Sequence, residues 1–225
     1  MNHADDGEVD SYLTLEGPGS AALKVQGSKF LGFALPARSR EDAIVVLRNY
    51  QKEYHDATHH CLAYRCYGPP KESRYQDDGE PAGSAGKPIL AAIERAGLQN
   101  VAVVVVRYFG GTKLGIGGLV RAYGDTAAEA IARGNVVRSF LQETFTVTFP
   151  HALTSPVMRT LSDRGASIIG TMYDERVHLR IEIRVSRASE LTAALTEATN
   201  GGVEIEAVTA AKRSPPAVST DATGG

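Results

Sequence analysis

Apolar and polar positions change period several times along this chain, and each change predicts an element. The opening stretch is acidic and carries Gly17-Pro18-Gly19, so residues 1–20 are expected to form a loose leader with one short strand at 12–15. Residues 21–36 are strand-like and break at Gly27-Ser28, which predicts two short strands joined by a turn. Ser39 and Asp42 have the spacing of a capping box, and Ala43, Ile44, Leu47 and Tyr50 then recur at helical spacing. A strand is expected at 61–67, ended by Pro69-Pro70, and a second helix from about 84–88 that stops at Gly97. Residues 101–106 are almost unbroken valine, the pattern of a strand covered on both faces and so the centre of a sheet. A helix over about 119–133 follows, ended by Gly134-Asn135.

From 141 to 208 the pattern is different. It predicts strand (Phe145, Val147 and Phe149 inward), helix (156–164), strand (166–173), strand, helix (188–199) and strand (203–208), the β-α-β-β-α-β order of a ferredoxin-like domain. In the fourth segment Val177, Leu179, Ile181, Ile183 and Val185 alternate with His178, Arg180, Glu182 and Arg184, giving one core face and one wet face. The fold class expected is α+β in two domains, with a leader at 1–20, a first domain at 21–140, a ferredoxin-like domain at 141–210 and a disordered tail at 211–225, which is rich in Ser, Pro, Thr, Ala and Gly.

Composition adds constraints. The 225 residues are 43% hydrophobic and 22% charged, as in ordinary globular proteins. No apolar run reaches the roughly 18 residues of a membrane span, and the acidic start is unlike a signal peptide, so no membrane partner and a cytoplasmic location are expected. Cys61 and Cys66, five apart in a strand, should face opposite ways and neither pair nor share a metal. The net charge of −2 conceals a gradient: residues 21–140 carry 16 Lys and Arg against 11 Asp and Glu, whereas 141–210 carry 6 against 9. If any part meets phosphates, it is the first.

Three stretches of the first domain place polar residues and glycines inside a regular pattern: 57–61 with His59, 77–88 with Asp77, Asp78, Glu80 and Lys87, and 107–121. The third runs from the valine strand into a helix start, with Gly110, Gly111, Gly115, Gly117 and Gly118 leaving amides uncovered and Arg107, Lys113 and Arg121 supplying cations. This predicts an anion seat. It is neither a Walker A loop nor a dinucleotide fingerprint. The bland reading is that the glycines make tight turns and Arg107 pairs with Asp77 or Asp78. Asp77, Asp78 and Glu80 with His59 could also serve metal or acid/base chemistry, but adjacent loop carboxylates are more often turn formers, and here they could orient Arg107 or Lys87. Cys61 beside His59 is a conceivable nucleophile, although a strand cysteine is usually a core residue. No metal and no cofactor is expected, and no catalytic residue is assigned. In the second domain the wet face of Thr144, Thr146, Thr148, His178, Arg180 and Arg184 has no aromatic pair for base stacking, and Glu182, Glu204 and Glu206 repel phosphate.

Ala57-x-His59-x-Cys61, Asp77-Asp78-Gly79-Glu80-Pro81 through Gly83-x-Ala85-Gly86-x-Pro88, and Arg107-Tyr108-Phe109-Gly110-Gly111 through Leu114-Gly115-x-Gly117-Gly118-Leu119-x-Arg121-Ala122-Tyr123 together resemble the IMPACT family in its bacterial, YigZ-type branch. Val106 departs from the Thr expected in many relatives. The resemblance implies a first domain similar to domain IV of elongation factor G, a ribosomal-protein-S5-domain-2-like β-α-β fold, and a second similar to its domain V. It also implies a translation-linked role with RNA or the ribosome as partner and no DNA sequence specificity. Eukaryotic relatives suggest a protein partner instead. No catalytic residues come with the resemblance, so an enzyme is the less favoured reading; its form would be His59 and the 77–80 loop acting on an anionic small molecule.

Overall fold

The computed structural model describes residues 10–67 and 71–208. The first nine leader residues, Pro69-Pro70 and the tail from 211 lie outside the described residues. Ser11–Phe140 forms one compact unit, and Leu141 onward, with Asp10, forms another.

The first unit runs β1 (Ser11–Leu15), β2 (Gly19–Val25), β3 (Ser28–Pro36), α1 (Arg40–Glu53), β4 (His59–Cys66), β5 (Glu72–Gln76), α2 (Gly86–Arg95), β6 (Val101–Tyr108), α3 (Gly115–Ala132) and β7 (Val136–Phe140). Its main sheet has the order β2-β3-β6-β4-β5 with every neighbour antiparallel. Continuous valine in β6 therefore reports burial on both faces and not a parallel sheet. Val101, Val103 and Val105 join the core under α2 and α3, while Ala102, Val104 and Val106 join the core under α1. Cys61 and Cys66 fall in these two separate cores and are free thiols. The Ser39–Asp42 capping box forms as the spacing predicts: Asp42 N–H donates to Ser39 Oγ at 3.1 Å and Ser39 N–H to Asp42 Oδ2 at 3.1 Å.

The short strand expected within the leader forms as β1, and Gly19 and Ser20 already belong to β2. β1 pairs antiparallel with β7 from Ser11 opposite Phe140 to Leu15 opposite Val136, a partner far along the chain that no local pattern reveals. β5 is absent from the pattern, because Glu-Ser-Arg-Tyr-Gln is a polar edge strand held by pairing to β4. α3 begins four residues earlier than the apolar stripe suggested, so Gly115, Gly117 and Gly118 lie in its first turn.

The second unit runs β8 (Gln142–Phe149), a 3-10 turn at His151–Leu153, α4 (Thr154–Asp163), β9 (Ser167–Tyr173), β10 (Val177–Arg184), α5 (Val185–Ala198) and β11 (Glu204–Ala207). The sheet order β11-β8-β10-β9 is that of the ferredoxin-like arrangement. Phe145, Val147, Phe149, Val177, Leu179, Ile181 and Ile183 form its core with Val157, Leu161, Leu191 and Leu195 from the two helices. Two residues depart from the alternation. Val185 starts α5 and is exposed, and Thr144 is buried where Val208 N–H, just past β11, donates to its carbonyl. No helix among the described residues is long and apolar enough to cross a membrane.

Candidate functional site

Strand register gathers the three singled-out stretches at one end of the first unit's sheet. Arg107, near the end of β6, lies opposite Phe30 of β3 on one side and His59 of β4 on the other. β5 ends there too, with Gln76 opposite Leu62, so the 77–85 loop leaves the sheet where the 109–114 turn does. α2 and α3 both start from this end. The β2–β3 turn arrives as well: Gly27 and Gly110 touch so closely that a Cβ on Gly110 would lie 1.9 Å from the Gly27 carbonyl carbon. Only glycine fits that crossing.

Beneath this end is a buried polar cluster built on Glu80. Its Oε1 accepts from Arg107 Nη1 at 2.6 Å and from the Tyr123 hydroxyl at 2.7 Å. Arg107 Nη2 donates to Ser28 Oγ at 3.3 Å, and the guanidinium carbon lies 5.4 Å from the Phe30 ring centroid and 5.5 Å from that of Phe109. Arg107 is 4% exposed. The anion-seat expectation places its charge outward; instead it is neutralised by Glu80 inside the fold, in keeping with the alternative that the 77–80 carboxylates orient it, and the partner is neither Asp77 nor Asp78. Burial without that carboxylate would be prohibitive for a guanidinium. Tyr123 closes the third family motif, but the sequence assigns it no role. The available signal was its place on the inward stripe of α3 with Leu119, Ala122 and Ala127, because a buried phenol requires an acceptor.

The acidic loop is likewise structural. Asp77 accepts from the N–H groups of Gly83 at 2.8 Å, Ala85 at 3.1 Å and Gly86 at 2.8 Å, closing the N-terminus of α2. Asp78 Oδ2 accepts from His60 N–H at 2.7 Å, and its carbonyl accepts at 2.7 Å from His59 Nδ1, which must carry the proton because a carbonyl cannot donate. His59 Nε2 then faces Glu80 Oε1 at 3.8 Å. Burial pushes the Cys61 thiol far up, and the thiol donates to the Asp77 carbonyl at 3.0 Å, an environment that disfavours a nucleophilic thiolate. Burial, followed by the neighbouring Cys61, likewise raises the Tyr123 phenol. Among the described residues no group of three or more His, Cys, Asp or Glu is disposed to hold a metal.

The outer part of the turn is different. Gly110 N–H is already used, donating to Ser28 Oγ at 3.1 Å, so this glycine makes the crossing and does not offer an amide to an anion. From Gly111 to Gly117 the chain is exposed apart from a half-buried Leu114. α3 starts with no side-chain cap and no acid in its first turn, so its first N–H groups lack intrahelical acceptors. Lys113 and Arg121 are exposed, as are Lys24 and Lys29 on the adjoining hairpin and Lys87 at the start of α2. Among the described residues none of these five makes an ion pair with a carboxylate.

These features define a two-unit α+β protein whose first unit closes a buried carboxylate–guanidinium–phenol cluster under a glycine-rich, basic strand-to-helix turn. An Impact N-terminal domain matches residues 26–131, and a domain of unknown function (DUF1949) matches residues 147–201. The Escherichia coli protein "IMPACT family member YigZ" is 30% identical over 89% of this chain and 99% of its own length. A Thermus thermophilus IMPACT family member is 50% identical over 56% of this chain and 68% of its own. A solved crystal structure of a hypothetical protein superposes with a TM-score of 0.71 at 29% identity, covering 89% of this chain and 98% of that one. The chain belongs to the IMPACT family.

Proposed function

We propose that this protein is a translation-linked factor that binds RNA or the ribosome through the turn at 111–118 and the first turn of α3. The observation that carries the reading is the separation of charges at this end of the sheet. Arg107 and the 77–80 carboxylates satisfy one another or nearby amides inside the fold, whereas Lys113 and Arg121 stand outside beside an uncapped helix start. A helix N-terminus with adjacent cations favours phosphate. Gly111, Gly115, Gly117 and Gly118 keep the backbone accessible there, and His59, Asp77, Asp78 and Glu80 brace it from below. Lys87 adds charge at the neighbouring helix start. The family resemblance, which implies two domains similar to domains IV and V of elongation factor G, a pair linked with ribosome binding, points the same way.

The enzyme reading loses support from the same geometry, since Asp77 and Glu80 already serve as acceptors for protein donors. The test is anisotropy of a labelled single-stranded RNA against salt, with pelleting of ribosomes alongside. Lys113→Ala and Arg121→Ala should each weaken binding and lower the slope of log affinity against log salt by about 0.7, the value for one phosphate contact on a single strand. If both variants keep the wild-type affinity and slope for RNA and ribosomes, this surface is the wrong one.

A further inference from the structure

Phe109 stands out at the same end of the sheet. It directly follows β6 and is 47% exposed, yet it is held firmly. Its N–H donates to Thr58 Oγ1 at 3.0 Å and the next N–H, that of Gly110, to Ser28 Oγ at 3.1 Å. The ring lies 5.5 Å from the Arg107 guanidinium, which is itself fixed by Glu80 and Ser28. An exposed aromatic whose backbone is pinned and whose ring rests on a buried cation loses little freedom on binding. Arg107 thus acquires a second use. It is the foundation of this ring.

Further along the same exposed surface, Gly117 is open: an added Cβ would meet nothing within 4 Å, and its φ is not left-handed. Neither backbone geometry nor protein packing calls for glycine in this helical turn. A bare backbone here leaves room for close approach from outside. Ile116, 65% exposed, precedes it.

We infer that Phe109 is a stacking platform for an unpaired base of single-stranded RNA, with the strand's phosphates turned toward Lys113 and the first turn of α3. The inference rests on the proposed RNA-binding function and specifies its ligand. Charge favours this occupant over an apolar protein surface, because Lys113, Arg121 and Lys29 at this end have no carboxylate partner among the described residues. A polyanion carrying flat apolar groups answers both features at once, and a duplex does not, since its bases are stacked inside.

The experiment uses the full chain and three probes of equal length: a single-stranded RNA, the same strand in a duplex, and an abasic strand that keeps the phosphates but lacks bases. Phe109→Ala and Phe109→Leu should each weaken the single-stranded RNA about tenfold, within the range for loss of a base-stacking aromatic. Binding of the abasic strand and the duplex should be unchanged, and Phe109→Trp should retain wild-type affinity. Lys113→Ala should weaken all three probes. If Phe109→Ala is silent on the single strand while Lys113→Ala weakens it, the stacking inference is overturned and the RNA surface stands; if both are silent, both are overturned. Equal losses on the abasic strand would make Phe109 a prop for the loop. Loss of ribosome pelleting with no change on any oligonucleotide would make it a protein contact. Either result overturns the inference.

Discussion

Replacing Glu80 by Gln tests whether the buried cluster holds the first unit together. The side chains of Glu80 and Arg107 are 3% and 5% exposed, and their N–O separation is 2.6 Å. Gln keeps an oxygen for the Tyr123 hydroxyl but removes the charge that compensates Arg107. Removing one partner of a buried pair costs about 3–5 kcal/mol, because the other charge stays in a poorly solvated place. The surviving Tyr123 bond sets the expectation for Glu80→Gln at the low end, about 3 kcal/mol. Glu80→Ala also strands the phenol and should lose a further 1–2 kcal/mol or so. Urea unfolding followed by tyrosine fluorescence is selective for this unit, because the protein has no tryptophan and every tyrosine except Tyr173 lies in Ser11–Phe140. With a urea slope of about 2 kcal/mol per M, the Gln variant should unfold about 1.5 M earlier. Glu80→Gln combined with Arg107→Met should be less destabilised than the sum of the two, by about 2 kcal/mol, since no uncompensated charge remains. A midpoint shift below about 0.3 M for Glu80→Gln, or simple additivity in the double variant, would refute the idea that Arg107 depends on this carboxylate.

Two glycines of one turn should respond oppositely to alanine. Gly110→Ala places a methyl against the Gly27 backbone, at 1.9 Å from its carbonyl carbon, and should cost 1–3 kcal/mol or so, or prevent folding. Gly117→Ala meets nothing and should stabilise α3 by up to about 1 kcal/mol, read from the same urea curves. The thiols give a pH prediction. Burial pushes Cys66 up from 9.0 to about 11 and raises Cys61 further, so the unfolded chain releases these protons first. The thiols' contribution to stability should be constant below about pH 8 and fall as pH rises from about 9, that of Cys66 through about 11 and that of Cys61 beyond it; a rise between about pH 9 and 11 would contradict the burial of both thiols. A thiol reagent at about pH 8 should label neither cysteine until urea is added.

Elements whose signal is local were legible in the sequence. The Ser39–Asp42 cap, the β2–β3 turn, the valine strand at the sheet centre and the alternation of Val177 to Ile183 depend on neighbours within a few residues, and each appears as its spacing predicts. The family motifs also marked the right end of the first unit. What the pattern could not assign was the role of each marked residue. Arg107 reads as a free cation beside a glycine turn, but its register opposite Phe30 and His59 turns it inward to Glu80.

By itself, then, the chain dictated the helices and the strands whose alternation or apolar run is local, because periodicity and capping act over a single turn or a strand's width, whereas β5 and β7 carry no such signal and exist through their pairing to β4 and β1. Tertiary structure alone decided that β1 pairs with β7, that Gly110 crosses Gly27, and which cations remain outside. The physical reason is that a charge's fate depends on burial and on partners brought together by strand register. Glu80 and Arg107 are 27 residues apart, Ser28 and Arg107 are 79 apart, and only the folded sheet makes them neighbours.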